Sequence, residues 1–171
     1  MTARPAAPLP LVVIMGVSGS GKTTIGGLLA ARLGVPYAEA DDFHPAANLA
    51  KMASGRPLDD ADRAPWLDTI AEWLAGRGLR GGVVSCSALR RRYRDRLREA
   101  APGLFFAHLD GTPELIAARL AGRTHHFMPP ALLASQFEAL EPLEPDESGT
   151  AVPIDGDAEP TVERILAALP A

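Results

Sequence analysis

The residues Gly16-Val17-Ser18-Gly19-Ser20-Gly21-Lys22-Thr23 form a G-x-x-x-x-G-K-[ST] pattern, and each residue type in it has chemistry to offer a phosphate. Glycines let the backbone curl with its N–H groups pointing inward, and the helix expected to follow begins with unpaired donors at a positive dipole end. A triphosphate fits such a cradle. Gly16, Ser18, Gly19, Ser20, Gly21 and Thr24 are its expected contacts, Lys22 would reach the β- and γ-phosphates, and the Thr23 hydroxyl would take one position on Mg²⁺. A nucleotide and Mg²⁺ are the cofactors this loop implies.

Downstream, Glu39, Asp41 and Asp42 close a short apolar stretch. If that stretch is a strand of an open α/β sheet, its carboxyl end delivers these acids beside the phosphate loop. Strand alternation would put Glu39 and Asp41 on one side and Asp42 on the other. Lys51 and Arg63 are cations in the segment that follows, with His44 and Asn48 as neutral hydrogen-bonding groups. Arg63 could instead pair with Asp59, and His44 could satisfy a loop carbonyl. Arg90, Arg91, Arg92, Arg94, Arg96 and Arg98 crowd one helix. Its position after Ser85-Cys86-Ser87 points Arg90 and Arg94 toward the same cleft and leaves the others to water. Cys86 reads as a buried packing residue.

The elements that must hold these groups follow from periodicity and punctuation. Leu11 to Met15 is continuously apolar, as in a strand buried on both faces. Ile25, Leu28, Leu29 and Leu33 repeat at helical spacing up to Gly34 and Pro36. Gly26 and Gly27 each weaken that helix by about 1 kcal/mol relative to Ala, so close packing must compensate. Val35–Ala40, Val83–Cys86, Leu104–Leu109 and Thr150–Asp155 read as further strands. Two helices meeting at Ser54 to Leu58, the second capped by Asp59 or Asp60, follow the second strand. Helices over Ala88–Ala100, from Thr112-Pro113-Glu114, over Ala131–Leu140 and over Pro160–Leu169 complete the alternation. Strands alternating with helices imply one α/β domain with a parallel sheet and right-handed crossovers.

The length of 171 residues suits a single domain. A formal net charge of −4 argues against general nucleic-acid binding, which needs a basic surface. One cysteine allows no internal disulfide and fits a reducing, cytoplasmic setting. No apolar run approaches the roughly 20 residues that span a bilayer, so no membrane partner is expected. Residues 1–10, with Pro5, Pro8 and Pro10, read as a mobile tail.

The chain resembles the gluconate kinases, small-molecule P-loop kinases related to shikimate and adenylate kinases. The resemblance covers nearly all of residues 11–143 and rests on MGVSGSGKTT (15–24), ADDFHPAANLAKMASGRPLDDADRAPWL (40–67), CSALRRRYRDRLR (86–98), RTHHFM (123–128) and LLASQFEALEP (132–142). It implies a three-layer P-loop kinase fold with a five-stranded parallel sheet, a helical substrate-binding insert at about 43–75 and a lid at about 119–130. It also implies ATP-dependent phosphorylation of D-gluconate at its 6-hydroxyl, and suggests a homodimer. Within that reading Asp41 orients the hydroxyl and accepts its proton, and Glu39 holds a Mg²⁺-bound water, a spacing similar to the paired acids of shikimate kinase. Arg63 suits a bidentate grip on the substrate carboxylate, with Lys51, Arg90 and Arg94 as further cations and His44 and Asn48 on sugar hydroxyls. Arg119 and Arg123 are spaced like lid arginines of related kinases, Arg123 being the one expected to act in catalysis. His125 and His126 form at most a weak metal pair. Ala40, Arg90 and His125 stand where the family usually has Gly, Lys and Gly. Another sugar-acid or small-acid kinase, or an ATP-binding sensor without transfer, are the alternatives.

Overall fold

In a computed structural model, the structure describes residues 7–122 and 130–170. The phosphate loop leaves the central strand, β1 (Leu11–Met15), whose residues are all buried. Around it stand β2 (Tyr37–Glu39), β3 (Gly82–Ser85), β4 (Phe105–Asp110) and β5 (Gly149–Pro153), in the order β2-β3-β1-β4-β5. Every pairing is parallel, with Val13 opposite Val84 on one side and Phe106 on the other. The five-stranded parallel sheet expected from the alternation is therefore present. Seven α-helices occur among the described residues: α1 (Lys22–Leu33), α2 (Ala46–Ala53), α3 (Asp60–Arg77), α4 (Arg91–Ala100), α5 (Pro113–Ala121), α6 (Pro130–Ala139) and α7 (Ala158–Ala168). None of the described helices is long and apolar enough to cross a membrane.

The period of two along β1 divides the core. Val12 and Ile14 pack with Ile25 and Leu29 of α1, Ile116 of α5, Leu133 of α6, and Val162 and Ile165 of α7. Leu11, Val13 and Met15 pack on the opposite face with Trp66, Ile70 and Leu74 of α3 and with Tyr93 and Leu97 of α4. Helices on both faces give the three-layer arrangement, and every loop at the carboxyl ends of the strands opens on one side of the molecule.

Local signals set the ends of these helices. Gly34, at φ 68, closes α1, and Thr112 caps α5 by accepting a hydrogen bond from Leu115 N, with Pro113 in the first turn. Asp59 and Asp62 form a reciprocal capping box that starts α3.

Two boundaries differ from the sequence reading for identifiable reasons. The second strand stops at Glu39, because residues Ala40–Phe43 form a 3-10 turn. Ala40 is fully buried and its carbonyl accepts a 2.6 Å hydrogen bond from Trp66 Nε1, which pulls the chain out of the sheet. Asp41 and Asp42 are thus turn residues, both exposed, and strand alternation does not sort them. The fourth helix starts at Arg91 and not at Ala88, since Ala88 takes a left-handed conformation, φ 43.

Gly26 is required by close packing, as a Cβ there would lie 2.5 Å from the Tyr37 ring and 2.7 Å from Ser85 Oγ. A Cβ on Gly27 would meet no atom within 4 Å, so the compensation expected at both glycines operates only at Gly26.

Candidate active site

The loop after β1 wraps around the side chain that begins α1. Lys22 Nζ donates to Gly16 O and to Val17 O, both at 3.0 Å, which sets the ammonium at the centre of the curl. Gly19, at φ 83, is pressed against Leu120 of α5; a Cβ there would come within 2.8 Å of Leu120 Cγ. Ser20 Oγ is buried and has no hydrogen-bond partner among the described residues. The orphan hydroxyl of Ser20 stands just before the N-terminus of α1, a setting whose donors suit a phosphate group.

Beside it lies a cleft of about 160 Å³, lined among others by Ser20, Gly21, Thr24, Arg119, Ile154 and Gly156. The Arg119 guanidinium is held there by a hydrogen bond to Ile154 O. Arg123, His125 and His126 lie outside the described residues.

On the other side of the loop, the ends of β2 and β3 meet the first turn of α1. Tyr37 OH donates to Glu39 Oε1 and lies 2.8 Å from Ser85 Oγ, which in turn donates to Lys22 O at 2.8 Å. Thr23 is a further hydrogen-bonding neighbour of the same phenol. Burial, and then the hydrogen bond to Glu39, push the Tyr37 phenol up to about 12; it stays protonated and can donate at any physiological pH. Thr23 and Glu39, the two groups expected on Mg²⁺, therefore share Tyr37. No group of three or more His, Cys, Asp or Glu suited to a metal occurs among the described residues.

Asp41 is exposed in the turn that follows β2. The buried thiol of Cys86, just past β3, is raised to about 12 mainly by burial, with the charges of Lys22 and Asp41 acting on it in opposite directions. His44 senses Asp41 and Arg63 together; burial first, and Arg63 second, hold its imidazole below the ordinary histidine range against the opposing pull of Asp41. The ring stacks on Trp66 with centroids 4.5 Å apart and planes 9° from parallel. Asn48 Nδ2 donates to Asp62 O at 2.8 Å and meets His44 Nδ1 at 3.2 Å. A carbonyl only accepts, so the amide nitrogen must face both groups, His44 Nδ1 must accept, and the imidazole proton sits on Nε2. Asn48 is buried and serves to orient His44, its amide protons being committed.

The expected cations divide sharply. Arg94 does not reach the cleft: its side chain is 0% exposed and pairs with Glu147, also 0% exposed. Its donors go to both Glu147 oxygens and to Ala88 O, Leu89 O and Pro142 O, leaving none for a substrate. This corrects the reading of Arg94 as substrate-binding; the helix face it occupies turns inward under the loop before β5. Lys51 is engaged by Asp62 at 2.6 Å. Arg63 does not pair with Asp59; it donates to Tyr93 OH at 3.2 Å and lies 5.5 Å from that ring. Arg90 is half-buried at the start of α4. Of the outer arginines, Arg91 pairs with Asp146 and Glu144, Arg92 with Asp60 and Arg96 with Asp68.

Three site residues escaped the sequence reading: Tyr37, Ser85 and Gln136. Tyr37 lies two positions before Glu39 on the same strand, a spacing that places their side chains on one side. Gln136 stands among Leu132, Leu133 and Phe137 in α6, and a polar residue in that apolar company is the signal the sequence offers. Its amide is hydrogen-bonded to the phosphate loop.

A phosphate loop at the end of the central strand, in this strand order and with acids at the end of the strand beyond, defines a P-loop kinase. A family model described as shikimate kinase matches residues 18–144. The thermosensitive gluconokinase of Escherichia coli (strain K12) is 49% identical over 137 residues, 79% of this chain and 73% of that protein. The gluconokinase of Gluconobacter oxydans (strain 621H) is 44% identical over 153 residues, 88% of this chain and 85% of that one. A crystal structure of a gluconokinase from Sinorhizobium meliloti 1021 superposes with a TM-score of 0.88 at 45% identity, covering 96% of this chain and 93% of that chain. An APS kinase from Mycobacterium tuberculosis, at 16% identity and a TM-score of 0.66, shares the fold. The chain belongs to the shikimate kinase family and, within it, to the gluconokinases.

Proposed function

We propose that this chain transfers the γ-phosphoryl group of ATP to the 6-hydroxyl of D-gluconate, giving 6-phospho-D-gluconate and ADP. The observation that carries the reading is the phosphate loop at the carboxyl end of the central strand, with Lys22 Nζ held by Gly16 O and Val17 O, in a chain 40–49% identical to gluconokinases over most of its length.

Lys22 and the N–H groups from Gly19 to Thr24 would hold the β- and γ-phosphates. Thr23 and Glu39 fit Mg²⁺, whose contribution when bound is to neutralise charge on the transferring group. Asp41 orients the acceptor hydroxyl and takes its proton as the new O–P bond forms. Arg63 and Arg90 read the carboxylate, while the fixed Nε2–H of His44 donates to an oxygen of the sugar chain. Arg119 lines the nucleotide cleft, and Arg123 supplies further charge to the phosphoryl group. The segment from about 43 to 75 acts as the substrate-binding insert and that from about 119 to 130 as the lid. A cytoplasmic location, where ATP and a free thiol coexist, and a homodimer complete the reading.

ADP release measured with gluconate, shikimate, glucose and nucleoside monophosphates as acceptors tests it. Turnover is expected with gluconate far above the others. A different preferred acid makes the chain another small-acid kinase, and binding of ATP with no acceptor turned over makes it a sensor.

A further inference from the structure

Gln136 makes two hydrogen bonds to one residue of the phosphate loop. Ser18 N–H donates to Gln136 Oε1 at 2.7 Å, and Gln136 Nε2 donates to Ser18 Oγ at 3.2 Å. Because a backbone N–H can only donate, the first bond fixes which end of the amide faces the loop. The peptide that carries this N–H joins Val17 to Ser18, and its carbonyl, Val17 O, accepts from Lys22 Nζ at 3.0 Å. Gln136 therefore grips one side of a single amide plane whose other side grips the ammonium. Hydrogen bonds on both ends of an amide polarise it and strengthen each other.

Docking of the helix does not depend on this contact. Leu133 is buried, and Phe137 and Leu140 pack against the same core cluster, so α6 is held by apolar contacts on either side of Gln136. The amide is thus free to serve the loop.

We propose that Gln136 is a positioning residue for Lys22, acting through the Val17–Ser18 peptide: it holds that peptide in the orientation that places the ammonium on the nucleotide phosphates. The inference rests on the loop binding a nucleotide, and is independent of which acceptor is phosphorylated.

The test is a double-mutant cycle read by ADP affinity in calorimetry, on the full chain as wild type, Gln136→Met, Lys22→Met and the double variant, with melting temperatures alongside. Methionine keeps the length of glutamine and removes its polar grip. In the Lys22 background Gln136→Met should weaken ADP by about 5- to 10-fold, the loss of roughly one hydrogen bond; in the Lys22→Met background it should weaken ADP less than about twofold. Equal weakening in both backgrounds, or none in the first, overturns the proposal. Gln136→Ala, run the same way, guards against a fold defect peculiar to methionine. With gluconate, kcat should fall about 10-fold while KM for gluconate holds; parallel loss of both with a lowered melting temperature would mark a merely structural residue. Should gluconate fail as acceptor altogether, the ADP cycle still decides the role of Gln136.

Discussion

Arg63 and Arg94 lie on facing helices and read alike in sequence, yet their environments give them different work. The carboxylate of gluconate distinguishes it from glucose, which also offers a 6-hydroxyl. If Arg63 is desolvated around that carboxylate, glucose leaves a buried cation unpaired, at about 2 to 5 kcal/mol. Discrimination in kcat/KM is then about 30-fold to several thousandfold, and Arg63→Ala should narrow it by lowering gluconate turnover more than glucose turnover. Steady-state kinetics of both sugars in both proteins check this; an unchanged ratio transfers the carboxylate to Arg90. His44 allows a sharper test, because its proton is fixed on Nε2 by Asn48. Glutamine places an amide nitrogen near the Nε2 position and asparagine near Nδ1, so His44→Gln should retain kcat/KM within about 5-fold while His44→Asn loses about 10-fold or more. Equal losses would mean that the tautomer is irrelevant to binding. The phosphate loop was legible because all its residues are contiguous. The fate of Arg94 was not, since it is decided by Glu147, which folds back from beyond β4.

At the scale of elements, α1, β2 and β3 come together at Gly26, where absence of a side chain lets the helix approach Tyr37 and Ser85. Gly26→Ala removes the helix penalty of glycine, a gain of about 1 kcal/mol on propensity alone. It also drives a methyl group into the Tyr37 ring, and overpacking of this kind costs about 1 to 3 kcal/mol. The net expectation is destabilisation, and a displaced phenol no longer holds Glu39 beside Thr23. Urea unfolding should show the loss of stability, and a raised Mg²⁺ requirement should accompany it; at Gly27, where a Cβ meets nothing, the same substitution should stabilise. Sequence revealed that both glycines weaken a helix, but which one is packed depends on Tyr37 of β2 and Ser85 of β3, outside the helix itself. Caps were legible for the opposite reason: Gly34, Asp59 and Thr112 act within one turn of themselves. The second strand was read too long because nothing local announces that Trp66 will take the carbonyl of Ala40.

For the whole molecule, the buried acid Glu147 joins α4 to the turn before β5. It pairs with Arg94 and Arg98 and accepts from Glu144 N at 2.8 Å. Burial alone would raise its pKa, but the hydrogen bond from Arg94, with those from Glu144 N and Arg98, wins and holds the carboxyl at about 2. Its ordinary value is 4.5, so linkage gives its ionised form about 3 kcal/mol of stability. The folded pKa is the lower one; the contribution is complete above pH about 4.5 and disappears as pH falls toward 2. Glu147→Gln should cost about 3 to 5 kcal/mol at pH 7, by leaving Arg94 buried without its anion, and the gap to wild type should shrink in chemical denaturation below pH about 4. A pH-independent gap would remove the ion pair from the account. The sheet also orders the chain's two tryptophans. Helix α3 runs back along the strands, so Trp66 stacks on His44 at their carboxyl ends, while Trp73 lies against Gly82, at the amino end of β3. One helix thus carries a fluorophore in the site and another remote from it. In Trp73→Phe the remaining emission should respond to gluconate, and should dim as acid converts the stacked imidazole into a quenching cation; in Trp66→Phe the remaining emission should ignore both, so that the protein supplies its own optical signal and its own reference.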